Sequence, residues 1–470
     1  MMWSFDQFKD NIAVITEEGD KITYSQLQEI SSLLINYIPG RCLCFNLCSN
    51  ELGSFLGYVA FIDNRIVPLL LDVHLDRDLL ANLIETYKPD YLWLPDKLQG
   101  EFPKFSPVFS ICGYSLLKTP YTNIYPLNGK LALLLTTSGS TGSPKLVRQS
   151  YENILANTES IAEYLELDES EKPITTLPMN YTYGLSIINS HLYVGAAIIL
   201  TSKTLMQKDF WQQFKEFEAT SFGGVPYTYE MLNKLHFFRM DLPSLRTMTQ
   251  AGGKLSLELH KKFAEYARDT GRHFVVMYGQ TEATARMAYL PYEKSLEKCG
   301  SMGIPIPGGK FSLIDVNGKE ISEPGITGEL VYQGANVTLG YAETGEDLIK
   351  GDERNGRLTT GDMAKRDSDG FYYIVGRKKR FLKIYGTRVN LDETERLIKS
   401  HFKSLDCACA GRDDEMHIFV NDESRIAVVK HFITEKTGIN HTAFKIQYIA
   451  VIPKNEAGKT LYKDLEKAYD

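Results

Sequence analysis

Two hydrophobic rhythms alternate over the first 130 positions of the chain. RCLCFNLC (41–48), RIVPLLLD (65–72) and DYLWLP (90–95) are short apolar runs that predict strands. Between them, ELGSFLGYVAFID (51–63) and RDLLANLIETYK (77–88) predict helices. Strands alternating with helices predict a layered α/β sheet. The rhythm resumes after a glycine cluster at 139–142, with helices in ENILANTESIAEYLEL and SLELHKKFAEYARDTG and strands in KPITTLP, AAIILT and FVVMYG. From about 300 the pattern turns β-rich and glycine-punctuated, in GKFSLIDVNGKEI, GELVYQGANVTLGYA and GFYYIVGR. A smaller α+β unit follows: helix LDETERLIKSHF, strands around 407–419 and 445–452, and a closing helix in LYKDLEKAY.

Charge narrows the partners. With 52 Lys and Arg against 59 Asp and Glu, the 470-residue chain carries −7 and no global basic field, so no nucleic acid or acidic membrane is expected as a partner. The start, MMWSFDQFKDN, has Asp6, Lys9 and Asp10 where a secretory signal would have its apolar run. No stretch approaches the roughly 20 apolar residues of a membrane span. Seven cysteines, an odd and sparse set, argue against a disulfide framework and for a reducing cytoplasmic setting. Cys42, Cys44, Cys407 and Cys409 alternate within apolar runs and read as buried strand thiols, not metal ligands.

Four segments carry chemistry. In LALLLTTSGSTGSPKLV (131–147) an apolar strand runs into Thr137, Ser138, Gly139, Ser140, Thr141 and Gly142, with Lys145 three positions on. Glycines let backbone N–H groups converge on an anion and lysine adds charge, so the segment suits a polyphosphate; a ligand-free surface loop is the alternative. It is not a Walker A loop, because Ser143 and Pro144 separate Gly142 from Lys145. FVVMYGQTEAT (274–284) ends a strand with Tyr278, Gly279, Gln280, Thr281 and Glu282, at the sheet edge where open α/β folds bind ligands. The third is RLTTGD (357–362) with DGFYYIVGRKKRFLKIYGTRVNLDETE (369–395), and the fourth is IPKNEAGKTLYKDL (452–465).

In this order the segments resemble the adenylate-forming enzymes: acyl- and aryl-CoA synthetases, peptide-synthetase adenylation domains and luciferases. The phosphate loop T-S-G-S-T-G-x-P-K-G matches Thr137 to Leu146, with Leu146 in place of the last glycine. Y-G-x-T-E matches Tyr278 to Glu282, G-E-L…G-Y Gly328 to Tyr341, T-G-D Thr360 to Asp362, G-R-x-(D/K) Gly376 to Lys379, and P-K…G-K Pro453 to Lys459. The resemblance implies a large N-terminal domain (1–379, its β-rich subdomain about 300–379) and a small mobile C-terminal domain (380–470) pivoting at Lys379. It implies that the phosphate loop and Lys145 embrace the ATP phosphates, and that Tyr278, with Gly279, stacks on adenine beside Gly252 and Gly253. Thr281 would touch the α-phosphate, Glu282 would hold Mg²⁺, Asp362 and Arg377 would bind ribose, and Lys459 would be the catalytic lysine. Gly386 would face the pantetheine arm.

The acid pocket is expected among Tyr181, Gly223, Met277 and Arg286. Tyr181 stands where amino-acid-activating relatives carry an aspartate, so a small carboxylic acid is favoured over an α-amino acid. Arg286 falls at the pocket wall and would pair with a second anionic or hydroxyl group; solvent exposure or a structural ion pair are its alternatives. The expected reaction is ATP-dependent formation of an acyl-adenylate with release of pyrophosphate, then transfer to the thiol of CoA or of a phosphopantetheine on a separate acyl carrier protein. Stand-alone adenylation of an amino or hydroxy acid for a carrier protein is the second reading, and a non-catalytic nucleotide- or acyl-binding regulatory module the third.

Overall fold

The computed structural model describes residues 3, 5–136, 145–385, 387–454 and 460–468. They divide into two compact units, residues 1–311 with 332–358, and residues 312–331 with 359–470. Within the second unit lies the pivot expected at Lys379.

The first unit is built on an eight-stranded sheet in the order Gly340–Ala342, Leu146–Ser150, Leu131–Thr136, Val67–Asp72, Leu43–Cys48, Tyr91–Pro95, Tyr114–Lys118, Ser106–Ile111. Its middle strands run parallel. Each is apolar at successive positions because both faces are covered. Helix Leu52–Asp63 buries Gly53 through Ile62 without a break, which is why its sequence lacks a polar face. A second sheet, Ser221–Gly224, Thr247–Gln250, His273–Tyr278, Ala288–Leu290 and Ile304–Pro305, is parallel through its first three strands and antiparallel after them.

Two expectations need correction. KPITTLP forms only isolated bridges, Pro173 to Ser221 and Ile174 to Ile199, since Pro173 has no N–H to extend a ladder. Gly340–Ala342, read with the β-rich segment, instead pairs with Leu146–Ser150 in the large sheet.

Arg148 explains that pairing. The residue is 0% exposed, and its guanidinium donates to the carbonyls of Leu339, Tyr341, Lys350 and Gly351 and pairs with Glu353 at 2.5 Å. A buried cation is tolerated when its donors are saturated in this way.

The second unit holds most of the sheet Lys310–Ile314, Gly328–Gln333, Arg357–Arg366, Tyr372–Arg377, the hairpin Phe381–Ile384 with Thr387–Asn390, and the sheet Cys407–Arg412, Glu415–Val420, Phe444–Tyr448. Helices Leu391–His401 and Ile426–Thr437 contribute Ile398, Val429 and Ile433 to its core. No described helix is long and apolar enough to cross a membrane.

Burial pushes the imidazoles of His191 and His260 down to about 4. Both lie below the ordinary histidine value, so between about pH 4 and 6.5 the unfolded chain binds more protons, and stability rises with pH across that window. Lowering the pH from 7 to 5 therefore destabilises the chain by about 2 kcal/mol per histidine, read as a fall in thermal midpoint that flattens in His191→Asn. Arg148→Met leaves four buried-segment carbonyls without their donor and lowers unfolding free energy by about 3 kcal/mol, measured by urea titration.

Candidate active site

Strand His273–Tyr278 runs parallel to Thr247–Gln250 and delivers Met277 and Tyr278 to the sheet edge. There the chain must turn within a very small space. A Cβ at Gly279 would lie 1.7 Å from the carbonyl oxygen of Ala285, so only glycine lets the two backbones approach this closely. The turn Thr281–Ala283 follows and sets Glu282 half-buried, its Oε1 accepting from the Tyr341 hydroxyl at 2.6 Å. Burial and then Glu282 push Tyr341 up to about 12, which keeps the phenol a donor. Among the described residues no cation pairs with the Glu282 carboxylate. The Glu282 carbonyl is held by Thr338 N and by Arg354 Nη1 at 2.9 Å. Arg354 lies 4.6 Å and Lys145 5.7 Å from the Tyr341 ring centroid, and Lys145 pairs with Glu343 at 2.5 Å.

On the acid side, Tyr181 precedes helix Thr182–Tyr193 and stands edge-on to Tyr183 at 6.3 Å. Gly252 adopts φ +81°, and a Cβ there would meet the Tyr181 hydroxyl at 2.6 Å, so backbone angle and space both call for glycine. Gly253 lies against Pro226, and Gly223 against Ile187 and the Tyr183 hydroxyl. Arg286 is 2% exposed. Its Nη1 reaches the Tyr164 hydroxyl and Met277 Sδ, each at 3.0 Å. Neither alternative expected for Arg286 holds, because the residue is buried and no carboxylate pairs with it among the described residues. Tyr181, Tyr183, Val225, Ala251 and Met277 share one apolar cluster, so the structure brings the expected acid-side residues together.

In the second unit, Asp362 and Arg377 face each other in the ladder of Arg357–Arg366 with Tyr372–Arg377. Arg377 Nε lies 3.0 Å from Asp362 Oδ1, and Asp362 is 4% exposed. The backbone N–H of Asp362 is held by Thr360 Oγ1 at 3.1 Å. Thr137, Ser138, Gly139, Ser140, Thr141, Gly142, Gly386 and Lys459 lie outside the described residues, as does the side chain of Lys379.

Sequence reasoning missed Tyr341, Arg354 and Asn336. Tyr341 closes the G-E-L…G-Y motif and was within reach. Asn336 Nδ2 donates to the carbonyls of Ala283 and Arg286 at 2.9 and 3.0 Å, a long-range role with no local pattern to reveal it.

A sequence profile described as AMP-binding enzyme matches residues 72–342. The chain is 30% identical over 391 residues to a long-chain-fatty-acid–CoA ligase of Bacillus subtilis, covering 82% of this chain and 63% of the relative. It is 29% identical over 350 residues to a peroxisomal OPC-8:0-CoA ligase of Arabidopsis thaliana, covering 72% and 64%. The chain thus spans less than two thirds of the length of either relative. Its fold is that of the o-succinylbenzoate CoA synthetase of Bacillus subtilis in complex with the acyl-adenylate intermediate, with a TM-score of 0.79, 21% identity, and 98% of this chain and 97% of the other covered. With more than half of its length inside the matched profile, the chain belongs to the AMP-binding enzyme family.

Proposed function

We propose that the chain is an AMP-forming acid–thiol ligase. It activates a small carboxylic acid with ATP and passes the acyl group to the thiol of CoA or of a phosphopantetheine on a separate acyl carrier protein. The observation that carries this reading is Glu282, a half-buried carboxylate at a parallel sheet edge whose one oxygen is fixed by Tyr341 and which no described cation neutralises. A hard oxygen donor of this kind suits Mg²⁺, which keeps waters and phosphate oxygens in its coordination shell. Glu282 would hold it, and when bound the ion neutralises triphosphate charge.

In the first step a carboxylate oxygen of the acid forms a bond to the α-phosphorus as the bond to pyrophosphate breaks. Positioning and charge neutralisation do most of the work in such a displacement. Tyr278 offers its ring to adenine, Thr281 its hydroxyl to the α-phosphate, and the Asp362 carboxylate accepts from the ribose hydroxyls beside Arg377. Lys459, assigned by register, places a cation between two anionic oxygens, stabilising the charge-crowded transition state more than the ground state. In the second step the thiol sulfur bonds to the acyl carbon, AMP leaves, and the thiol proton goes to solvent. Seven free cysteines suit a reducing cytoplasmic setting for this chemistry.

Alternation between the steps is supported by the flanks of Lys379. Lys378 reaches back to Glu329 at 2.6 Å, while Arg380 reaches forward to Asp392 and Glu395 at 2.8 and 2.5 Å. One residue separates two oppositely anchored neighbours.

Lys459→Ala lowers acid-dependent ATP–pyrophosphate exchange by roughly 100-fold or more, and unchanged exchange overturns the mechanism. Lys379→Pro, which fixes φ, leaves exchange near normal and blocks thioester formation, followed by thiol consumption. Equal loss of both steps contradicts the pivot.

A further inference from the structure

Among the described residues, Arg148 and Arg286 are buried and Arg380 is nearly so, and Arg148 and Arg380 are well supplied with partners. Arg148 has four carbonyls and Glu353. Arg380 has Asp392, Glu395, the Cys409 carbonyl and the Tyr462 ring at 3.7 Å. Arg286 is the exception. Its backbone is firmly placed, with the N–H donating to Asn157 Oδ1 at 3.3 Å and the carbonyl accepting from Asn157 and Asn336 at 2.9 and 3.0 Å. Its guanidinium is not matched. Nη1 has a phenol oxygen and a thioether sulfur, the Tyr183 ring lies 5.1 Å away, and Nε has no acceptor among the described residues.

A guanidinium carries five donors and does not lose its proton. Its burial without an anion costs several kcal/mol, so such a charge normally has a partner. Among the described residues no carboxylate pairs with it. Burial pushes Tyr164 and Tyr183 up and His191 down to about 4, leaving all three neutral. His191 Nδ1 donates to the Ile187 carbonyl at 2.8 Å, and its Nε2 has no partner among the described residues. The rest of the neighbourhood is apolar: Met277 lies in contact, and Tyr164 stacks on Tyr289 at 4.3 Å. Arg286 follows Glu282 by four residues, through the turn that Gly279 closes against Ala285. The unpaired cation therefore sits in the cluster assigned to the acid.

Resting on the ligase reading, we infer that the acid activated here is a short dicarboxylic acid, one carboxylate reacting with ATP and the second received by Arg286. The second carboxylate supplies the missing anion, accepts from Nε and a terminal nitrogen in the fork geometry guanidinium favours, and is excluded from water by Tyr164, Tyr183 and Met277. Monocarboxylic acids of the same length leave the cation uncompensated and bind poorly, since a site built to bond a polar group rejects the analogue lacking it.

The test compares malonate, succinate and glutarate with propionate, butyrate and valerate in ATP–pyrophosphate exchange, and in thermal melts without ATP. The expected result is kcat/KM for the best dicarboxylate roughly 100-fold above its monocarboxylate counterpart, and a melting midpoint raised by that dicarboxylate alone. In Arg286→Met the melt without ligand is unchanged or higher, because an uncompensated charge is gone. Its dicarboxylate shift disappears, and its dicarboxylate kcat/KM falls roughly 100-fold, mainly through KM. Arg286→Lys retains part of the preference. Equal use of both acid series, or an unaltered preference in Arg286→Met, overturns the inference while leaving the ligase reading intact. A dicarboxylate shift that Arg286→Met abolishes, with no exchange for any acid, supports the subsite and overturns the ligase reading instead.

Discussion

The guanidinium of Arg148 has no exposed surface, and the placement of Tyr341 and Lys145 around Glu282 follows from satisfying it. Five acceptors surround it, four of them backbone carbonyls between Leu339 and Gly351. Those carbonyls belong to a segment almost two hundred positions away in sequence, so the cation draws that segment against strand Leu146–Ser150 as an edge strand. Tyr341 lies opposite Val147 in that pairing, and from there its hydroxyl reaches Glu282. Lys145, at the mouth of the same strand, pairs with Glu343 on the segment so captured. A surface ion pair would not carry this much, being worth under about 1 kcal/mol. A buried cation with every donor engaged does, because losing any acceptor in a low-dielectric interior is expensive.

The turn that presents Glu282 and Arg286 is strained. Thr284 has φ +64° and ψ −59°, an uncommon conformation for a β-branched residue and one that costs on the order of 1–3 kcal/mol. It persists because its surroundings overdetermine it. The Thr284 carbonyl accepts from Thr182 Oγ1 and Gln149 Nε2, its hydroxyl donates to Asn336 O at 2.7 Å, and Asn336 also holds the carbonyls on either side. Three separate stretches of chain, around Gln149, Thr182 and Asn336, thus meet on one turn. The result is a carboxylate and a guanidinium held four residues apart.

Much of this was legible from residues alone. Apolar runs such as RCLCFNLC and helical spacing such as SLELHKKFAEYARDTG correspond to Leu43–Cys48 and Leu257–Thr270, since buried strands and amphipathic helices impose periods that a sequence displays directly. Helix Tyr24–Ile35 was overlooked although Thr23 and Gln26 spell a capping box. Helix Thr182–Tyr193 gave no such warning, because no side chain caps its start. Motif register singled out Tyr278, Glu282, Asp362 and Arg377 as candidates, but not the donor on Glu282 or the surroundings of Arg286. Those depend on pairings between distant segments, and whether an arginine is saturated cannot be read from its neighbours in sequence.

The two flanks of Lys379 differ in a way that bears on how a pivot there would work. Arg380 is 12% exposed at its side chain and faces carboxylates 29% and 11% exposed, whereas Lys378 is 56% exposed. Breaking the first set would strand buried charge at a cost of several kcal/mol. In the second the ammonium is already largely in water, but Glu329 is only 10% exposed at its side chain and would lose a partner. A rotation that leaves Arg380 with helix Leu391–His401 would keep its two carboxylate pairs intact and give up one pair, that of Lys378 with Glu329. With the pivot proposed at Lys379, Arg380 would travel with Asp392 and Glu395 while Glu329 stayed behind, and the torsional change would fall on the single residue between Lys378 and Arg380.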